Sequence, residues 1–236
     1  MDDGRPDFSC RATTPERMDT DCAGYDDYAT CLADLARVNA WTLTHGPTLR
    51  FLGSLVSPGR TLRILDVACG QGDALRRIDR WAARRGIAVE LIGLDLNPWA
   101  GRAAVAATPP GRPIRWVIGD VFDFVPNPPV DVVVCSQFTH HLDDVELVRF
   151  LRWIEATAQR GWLIADLQRH WLPYHVFRWW SRAAGWHRFV QYDGAVSITR
   201  AFVKSEWRAA LAAAGLSAVT LRWHMPFRLT MTRIKP

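Results

Sequence analysis

Residues 64–72 read Ile-Leu-Asp-Val-Ala-Cys-Gly-Gln-Gly, an apolar run that reaches an acid and then breaks into a turn holding two glycines. Leu62, Ile64, Leu65 and Val67 make the run, and predict a buried strand. Gly70 and Gly72 let the backbone turn sharply and lie close against a ligand that a side chain would exclude. Over 74–85, Ala74, Leu75, Ile78, Trp81 and Ala82 recur at helical spacing, with Arg76, Arg77, Asp79 and Arg80 between them. An amphipathic helix there aims its free N-terminal amides at the same ligand. Strand, glycine turn and helix together have the shape of a nucleotide-type cofactor site in an α/β fold.

Two cofactor classes use such a turn. A dinucleotide site needs a third glycine, in the pattern G-x-G-x-x-G, for close packing of the helix. Leu75 stands at that position, which argues against an NAD-dependent reductase. Asp66 ends the strand just before the turn, where a carboxylate would repel a pyrophosphate but suits a ligand carrying an ammonium group. S-adenosylmethionine carries one.

Three more strand-like runs follow. The run 89–94 ends in Asp95 and Leu96 and is closed by Asn97-Pro98, so that Asp95 is placed to accept from both ribose hydroxyls. The run 114–118 ends in Gly119-Asp120, then Val121-Phe122; Asp120 suits an exocyclic adenine amine, and an apolar neighbour suits the ring face. The run 130–135 ends in Ser136-Gln137. Four such ends converge where an open parallel sheet binds its ligand.

In order and spacing these segments resemble the class I S-adenosylmethionine-dependent methyltransferases. LDVACGQG is similar to their glycine-rich first motif, GLDLN to their ribose-binding acid, GDVF to their adenine-binding segment and DVVVCSQFTHHL to their fourth motif. The resemblance spans roughly 62–236. It implies a doubly wound, Rossmann-like, mostly parallel seven-stranded sheet with a terminal antiparallel strand. It implies S-adenosyl-L-methionine as cofactor, held by Asp66, Ala68, Gly70, Gly72, Asp95, Leu96, Asp120, Val121 and Ser136. Ala68 departs from the family, which usually has its first glycine there. Within the family the chain looks most like small-molecule enzymes of bacterial secondary or quinone-type metabolism, several of which carry a helical N-terminal cap. A fold that keeps the cofactor but changes the chemistry is the alternative outcome.

Composition fits a soluble enzyme: 236 residues, 49% of them hydrophobic, can fill one sizeable core. The expected layout is a flexible segment over 1–24, a helical cap over 25–60 and a methyltransferase domain over 61–236. No apolar run approaches the ~20 residues of a membrane helix, and the N-terminus opens with Asp2, Asp3, Gly4 and Arg5. A cytoplasmic protein without integral membrane association is expected, and nothing in the pattern fixes its oligomeric state. Cys10, Cys22, Cys31, Cys69 and Cys135 contain no C-x-x-C pair, which argues against disulfides or zinc. The net charge of +5 comes almost wholly from scattered arginines, with Lys204 and Lys235 the only lysines. Dispersed charge reads as solvated surface, not as a nucleic-acid footprint.

From 25 to 56 apolar residues recur at helical spacing, broken at Gly46-Pro47 into two helices. Tyr28, Asn39, Trp41 and His45 either touch a small-molecule acceptor or pack the cap; Asn39 and Trp41 are the substrate candidates. Asp143 with Glu146 resembles a capping box and is assigned to structure. The run 161–165 predicts a fifth strand, with Asp166 at its end facing the cleft. Ser205-Glu206 start a helix that Gly215 ends, and 217–223 and 227–234 form the terminal antiparallel pair.

Methyl transfer asks mainly for alignment, since the sulfonium supplies both electrophile and leaving group; orientation can contribute several kcal/mol, with ~7–11 an upper range. A hydroxyl acceptor also needs a base, and histidine suits it. His141 is the preferred base, His140 the alternate, and Asp166 a group that can orient either. Between the fifth strand and the next helix, about 168–200, lies an aromatic insertion that includes Trp171, Tyr174, Phe177, Trp179, Trp180, Trp186 and Phe189. Its aromatics fall around most of the helix, which favours a lid walling the acceptor pocket, with Trp171 and Trp179 touching substrate, over a membrane-surface helix. His170, His175 and His187 are too irregularly spaced for a metal site.

Overall fold

The structure is a computed structural model and describes residues 6–21 and 24–236. Residues 1–5, Cys22 and Ala23 lie outside the described residues, and with them part of the segment expected to be flexible.

Seven strands form one sheet: β1 (Leu62–Val67), β2 (Val89–Asp95), β3 (Ile114–Ile118), β4 (Val132–Ser136), β5 (Gly161–Leu167), β6 (Thr220–His224) and β7 (Arg228–Ile234). Their order is β3-β2-β1-β4-β5-β7-β6. The first five pair in parallel, and β7 runs antiparallel to both β5 and β6. β1 has β2 on one side and β4 on the other, so the chain reverses its winding there and leaves a crevice at the carboxyl ends.

Helices cover both faces, which is why β1, β4 and β5 are buried at nearly every position. On one face α3 (Gly46–Leu55) and α4 (Asp73–Ala83) pack Leu52, Leu55, Leu75 and Ile78 onto Ile64, Val132 and Leu163. On the other, α6 (Asp144–Thr157) and α9 (Lys204–Ala213) pack Leu147, Phe150, Trp207 and Leu211 onto Leu65, Val133 and Ile164. Asp143 accepts from the Glu146 amide at 2.8 Å while Glu146 accepts from the Asp143 amide at 2.9 Å, the reciprocal cap that the sequence predicts. α9 starts one residue before the expected Ser205, with Glu206 accepting from the Val203 amide at 2.8 Å.

The helices break at Gly46-Pro47, but the second of them is part of the sheet's own core. Of these two helices it is the first, α2 (Tyr25–Trp41), that lies over the crevice, with Tyr28 and Leu32 against Ala100 and Ala103 of α5 (Pro98–Ala107). The aromatic insertion folds into α7 (Trp171–Ala183) and α8 (Arg188–Arg200), and Cys31 and Val38 of α2 pack on Trp186, Phe189 and Val190. Residues 6–21, expected to be loose, are tied to this pair. The amides of Arg17 and Met18 in α1 (Arg17–Thr20) donate to Asp193 at 2.7 and 2.9 Å, and Phe8 meets Tyr174 edge-on at 5.4 Å. The sequence hid this because the anchors are single side chains without periodicity.

Candidate active site

A cavity of about 930 Å³ opens at the carboxyl ends of the parallel strands, beneath α2, α7 and α8. At one end the first turn shapes its floor. Ala68, Gly70 and Gly72 all have positive φ, at +55°, +52° and +74°. The Gly70 amide donates to Asp95 Oδ2 at 2.8 Å, and the Asn97 amide to Asp95 Oδ1 at 3.0 Å. Each carboxylate oxygen can accept further bonds. Asp66 is buried, and among the described residues no hydrogen bond to its carboxylate offsets that burial. Burial, then the charges of Asp73 and Asp95, push its pKa well above the usual carboxylate range. A buried carboxylate beside two other acids is stabilised by a cationic ligand.

Asp66, Ala68, Gly70, Asp95, Leu96, Val121 and Ser136 line this cavity; Gly72 and Asp120 do not. A Cβ on Gly72 would fall 2.1 Å from the Trp116 ring, so this glycine is required by helix–sheet packing. Asp120 is exposed, and its Oδ1 accepts from the Phe122 amide at 2.9 Å, so the carboxylate closes its own turn.

A polar chain joins the cap to this end. Asn39 Nδ2 donates to Asp73 Oδ2 at 3.2 Å, His45 Nε2 lies 2.9 Å from the same oxygen, and Gln137 Nε2 donates to Asn39 Oδ1 at 2.5 Å. Burial works to raise the Asp73 pKa, but His45 and Asn39 hold it below the ordinary value. Gln71 Nε2 donates to the Leu32 carbonyl at 2.7 Å, fastening the glycine turn to α2.

The histidines stand on a short 3-10 turn, Thr139–His141, directly after β4. His140 Nδ1 donates to Asp166 Oδ1 at 2.8 Å, and its Nε2 lies 3.5 Å from Glu16 Oε1. Asp166 also accepts from Thr139 Oγ1 and from the His140 and Leu167 amides, the latter two at 3.0 and 2.7 Å. Ser197 Oγ donates to Glu16 Oε1 at 2.6 Å. Burial alone would push the His140 pKa down, but Asp166 and Glu16 override it and hold it up at about 10. Burial likewise opposes ionisation of Asp166 and Glu16, yet the histidines bring both to about 2. His140 is therefore an imidazolium between two carboxylates and has no free lone pair. His141 is partly exposed to the cavity, with Nε2 3.8 Å from Glu16 Oε2.

The far end is apolar, walled by Leu35, Val38, Phe177, Trp180 and Val190. Arg228 is buried in this wall, and burial pushes its pKa down to about 10 despite the nearby Asp166. Its Nη2 donates to Thr42 Oγ1 at 3.1 Å, while Nε and Nη1 have no partner among the described residues. Asn39 lines the cavity, but Asp166, expected to face the cleft and touch substrate, is buried beneath His140, and three tryptophans expected at the cavity do not line it either. Trp41, Trp171 and Trp179 are 73%, 55% and 73% exposed. Their helices bury the opposite faces, with Trp180, Tyr174 and Phe177 turned inward. Sequence reasoning missed Glu16, Asp73 and Arg228. An acid in the first turn after the glycines was a signal for Asp73; Glu16 and Arg228 carried none.

Residues 64–161 match the family described as Methyltransferase domain. No curated protein matches the chain in sequence. Human N-acetylserotonin methyltransferase, solved with SAM, is 14% identical at a TM-score of 0.62, covering 90% of this chain and 56% of that one. The plantazolicin methyltransferase BpumL, solved with a monoazolic desmethylPZN analog and SAH, is 15% identical at a TM-score of 0.58, covering 93% and 89%. A provisionally named O-methyltransferase from Nostoc punctiforme is 16% identical at a TM-score of 0.56, covering 86% and 60%. The chain thus spans little more than half the length of two of these proteins. These likenesses show the fold, and the motif-bearing strands fall inside the matched segment. Residues 64–161 are thus similar to a methyltransferase domain, within a chain that shares the fold of these S-adenosylmethionine- and S-adenosylhomocysteine-bound structures.

Proposed function

We propose that this chain moves the methyl group of S-adenosylmethionine to an oxygen atom of a hydrophobic, aromatic small molecule. The observation that carries the reading is Asp66, a buried carboxylate at the tip of the central strand, beside Asp95, whose carboxylate shapes the glycine turn of the same cavity. When bound, the cofactor supplies the electrophilic methyl and its own leaving group. Asp66 would face its cationic part and Asp95 its ribose. The apolar end would hold the acceptor in a water-poor space and substitute orientation for a bimolecular encounter. His141 would take the hydroxyl proton as the new carbon–oxygen bond forms. His140 is excluded from that role by its own proton, and supports the turn on which His141 stands.

The test is calorimetric titration with S-adenosylhomocysteine. Saturable binding is expected, and Asp95→Ala should weaken it about 100-fold, since hydrogen bonds to a charged group contribute about 1.5–3 kcal/mol each. No saturable binding by the wild type defeats the reading. Isotopically labelled donor with a panel of phenols and naphthols then addresses the atom: methyl ethers support oxygen transfer, and ring-methylated products alone count against it.

A further inference from the structure

The tryptophans that do not wall the cavity stand together outside it. Along α7, Trp171, Leu172, His175, Val176 and Trp179 are all exposed. At 3.6 residues per turn they fall within an arc of about 140°, a continuous stripe. The helix buries Tyr174 and Ser181 on its other side. The stripe continues onto neighbouring elements through ring contacts. His170 lies 5.7 Å from Trp171 and 4.8 Å from Phe227, and Phe227 lies 5.9 Å from Trp223, on the turn between β6 and β7. At the helix's other end Trp41 meets Trp180 at 5.9 Å. Leu43 and Met225 are 70% and 73% exposed in the same region. Leu172, Pro173, Val176, Met225 and Pro226 also line the cavity, so this apolar surface is the rim of its mouth.

The surroundings of the rim carry one sign of charge. The segments 35–65, 167–192 and 207–236, which supply it, contain no Asp or Glu. Arg50, Arg182 and Arg222 are exposed there and form no ion pair among the described residues. An exposed apolar patch of this extent marks an interaction surface. A second copy of the chain packed symmetrically on it would bring like charges face to face. An anionic bilayer surface meets both features, since tryptophan settles at the headgroup level and arginine pairs with anionic lipid.

We infer that the cavity's rim is a docking surface for an anionic lipid bilayer, and that the acceptor is a lipid-soluble molecule entering through that mouth. The second clause rests on the proposed function; the first does not.

Flotation of the full chain with phosphatidylcholine vesicles, with and without phosphatidylglycerol, tests it. Binding should be about tenfold or more stronger with the anionic lipid. Trp171→Ser with Trp179→Ser should lower it about tenfold or more, and Arg182→Ser with Arg222→Ser should reduce it to the level of the neutral vesicles. Both double variants change exposed side chains, so thermal midpoint and S-adenosylhomocysteine affinity should stay at the wild-type values. Three results would overturn the inference: no flotation with either vesicle, equal binding by wild type and the tryptophan variant, or a wild-type dimer in solution that this variant loses. Vesicle binding without any affinity for S-adenosylhomocysteine would sustain the docking surface while defeating the methyl-transfer reading.

Discussion

The two ends of the cavity are built differently, one gathering acids and the other a balanced set of buried charges. The donor end is made of backbone turns at consecutive strand tips, with Asp66, Asp73 and Asp95 around them. Side chains drawn from across the chain make the acceptor end: Glu16, His141, Trp180 and Arg228. Its buried charges balance, the His140 imidazolium and the Arg228 guanidinium against the Glu16 and Asp166 carboxylates. Under the proposed function the acidic end favours a cationic donor, while the balanced end leaves the acceptor to be aligned by packing, a form of preorganisation suited to a displacement.

The largest expected effect tests whether the acceptor end does proton chemistry. His141→Gln removes a base and keeps a similar volume at the mouth. It should lower kcat about 10²- to 10⁴-fold, the ordinary range for general-base help, while leaving S-adenosylhomocysteine affinity unchanged. Steady-state kinetics with a phenolic acceptor and calorimetry with the product measure the two. If both fell together, the ends would not be separable and the comparison would break.

A second prediction concerns the cluster beneath His141. Asp166→Ala leaves an imidazolium buried with only the more distant Glu16 for company, and should cost about 3–5 kcal/mol of stability in urea titration. The wild type should show the matching pH dependence. His140 has its folded pKa raised to about 10, so its contribution is complete below the unfolded value and is lost as pH rises through about 10. Glu16 and Asp166 have theirs lowered to about 2, so their contribution is complete above ordinary carboxylate values and is lost as pH falls through about 2. Wild-type urea midpoints should therefore be highest between roughly pH 4.5 and 6.5 and decline toward pH 9.5. Asp166→Ala should flatten the alkaline decline, and an unchanged slope would separate His140 from it.

The same division explains what the sequence disclosed. The donor end lies in runs of adjacent residues, where strand, acid and glycine turn are one local pattern, so Asp66, Gly70, Asp95 and Ser136 could be placed before any coordinates. Gly72 and Asp120 fall outside the cavity lining, and there the same local pattern serves packing against Trp116 and closure of a turn. The acceptor end is tertiary. Glu16 reaches His140 from 124 positions away, counted from their numbers, within a stretch that shows no periodicity. The aromatics of α7 do fall around the whole helix, but one side is buried on α8 and the other faces solvent, a distinction that composition does not carry.

The smallest effect gives the sharpest test of a donor end made from backbone. Ala68 holds φ at +55°, a left-handed conformation that costs a side-chain-bearing residue about 1–2 kcal/mol. Ala68→Gly relieves that cost but gives the unfolded chain extra freedom, worth about 0.4–1 kcal/mol in the opposite direction. The variant should therefore be between neutral and about 1 kcal/mol more stable, with S-adenosylhomocysteine affinity within about twofold of wild type. Urea titration and calorimetry measure both. A tenfold loss of affinity would mean that the Ala68 methyl group itself contacts the ligand, and that side chains build the donor end as they build the acceptor end.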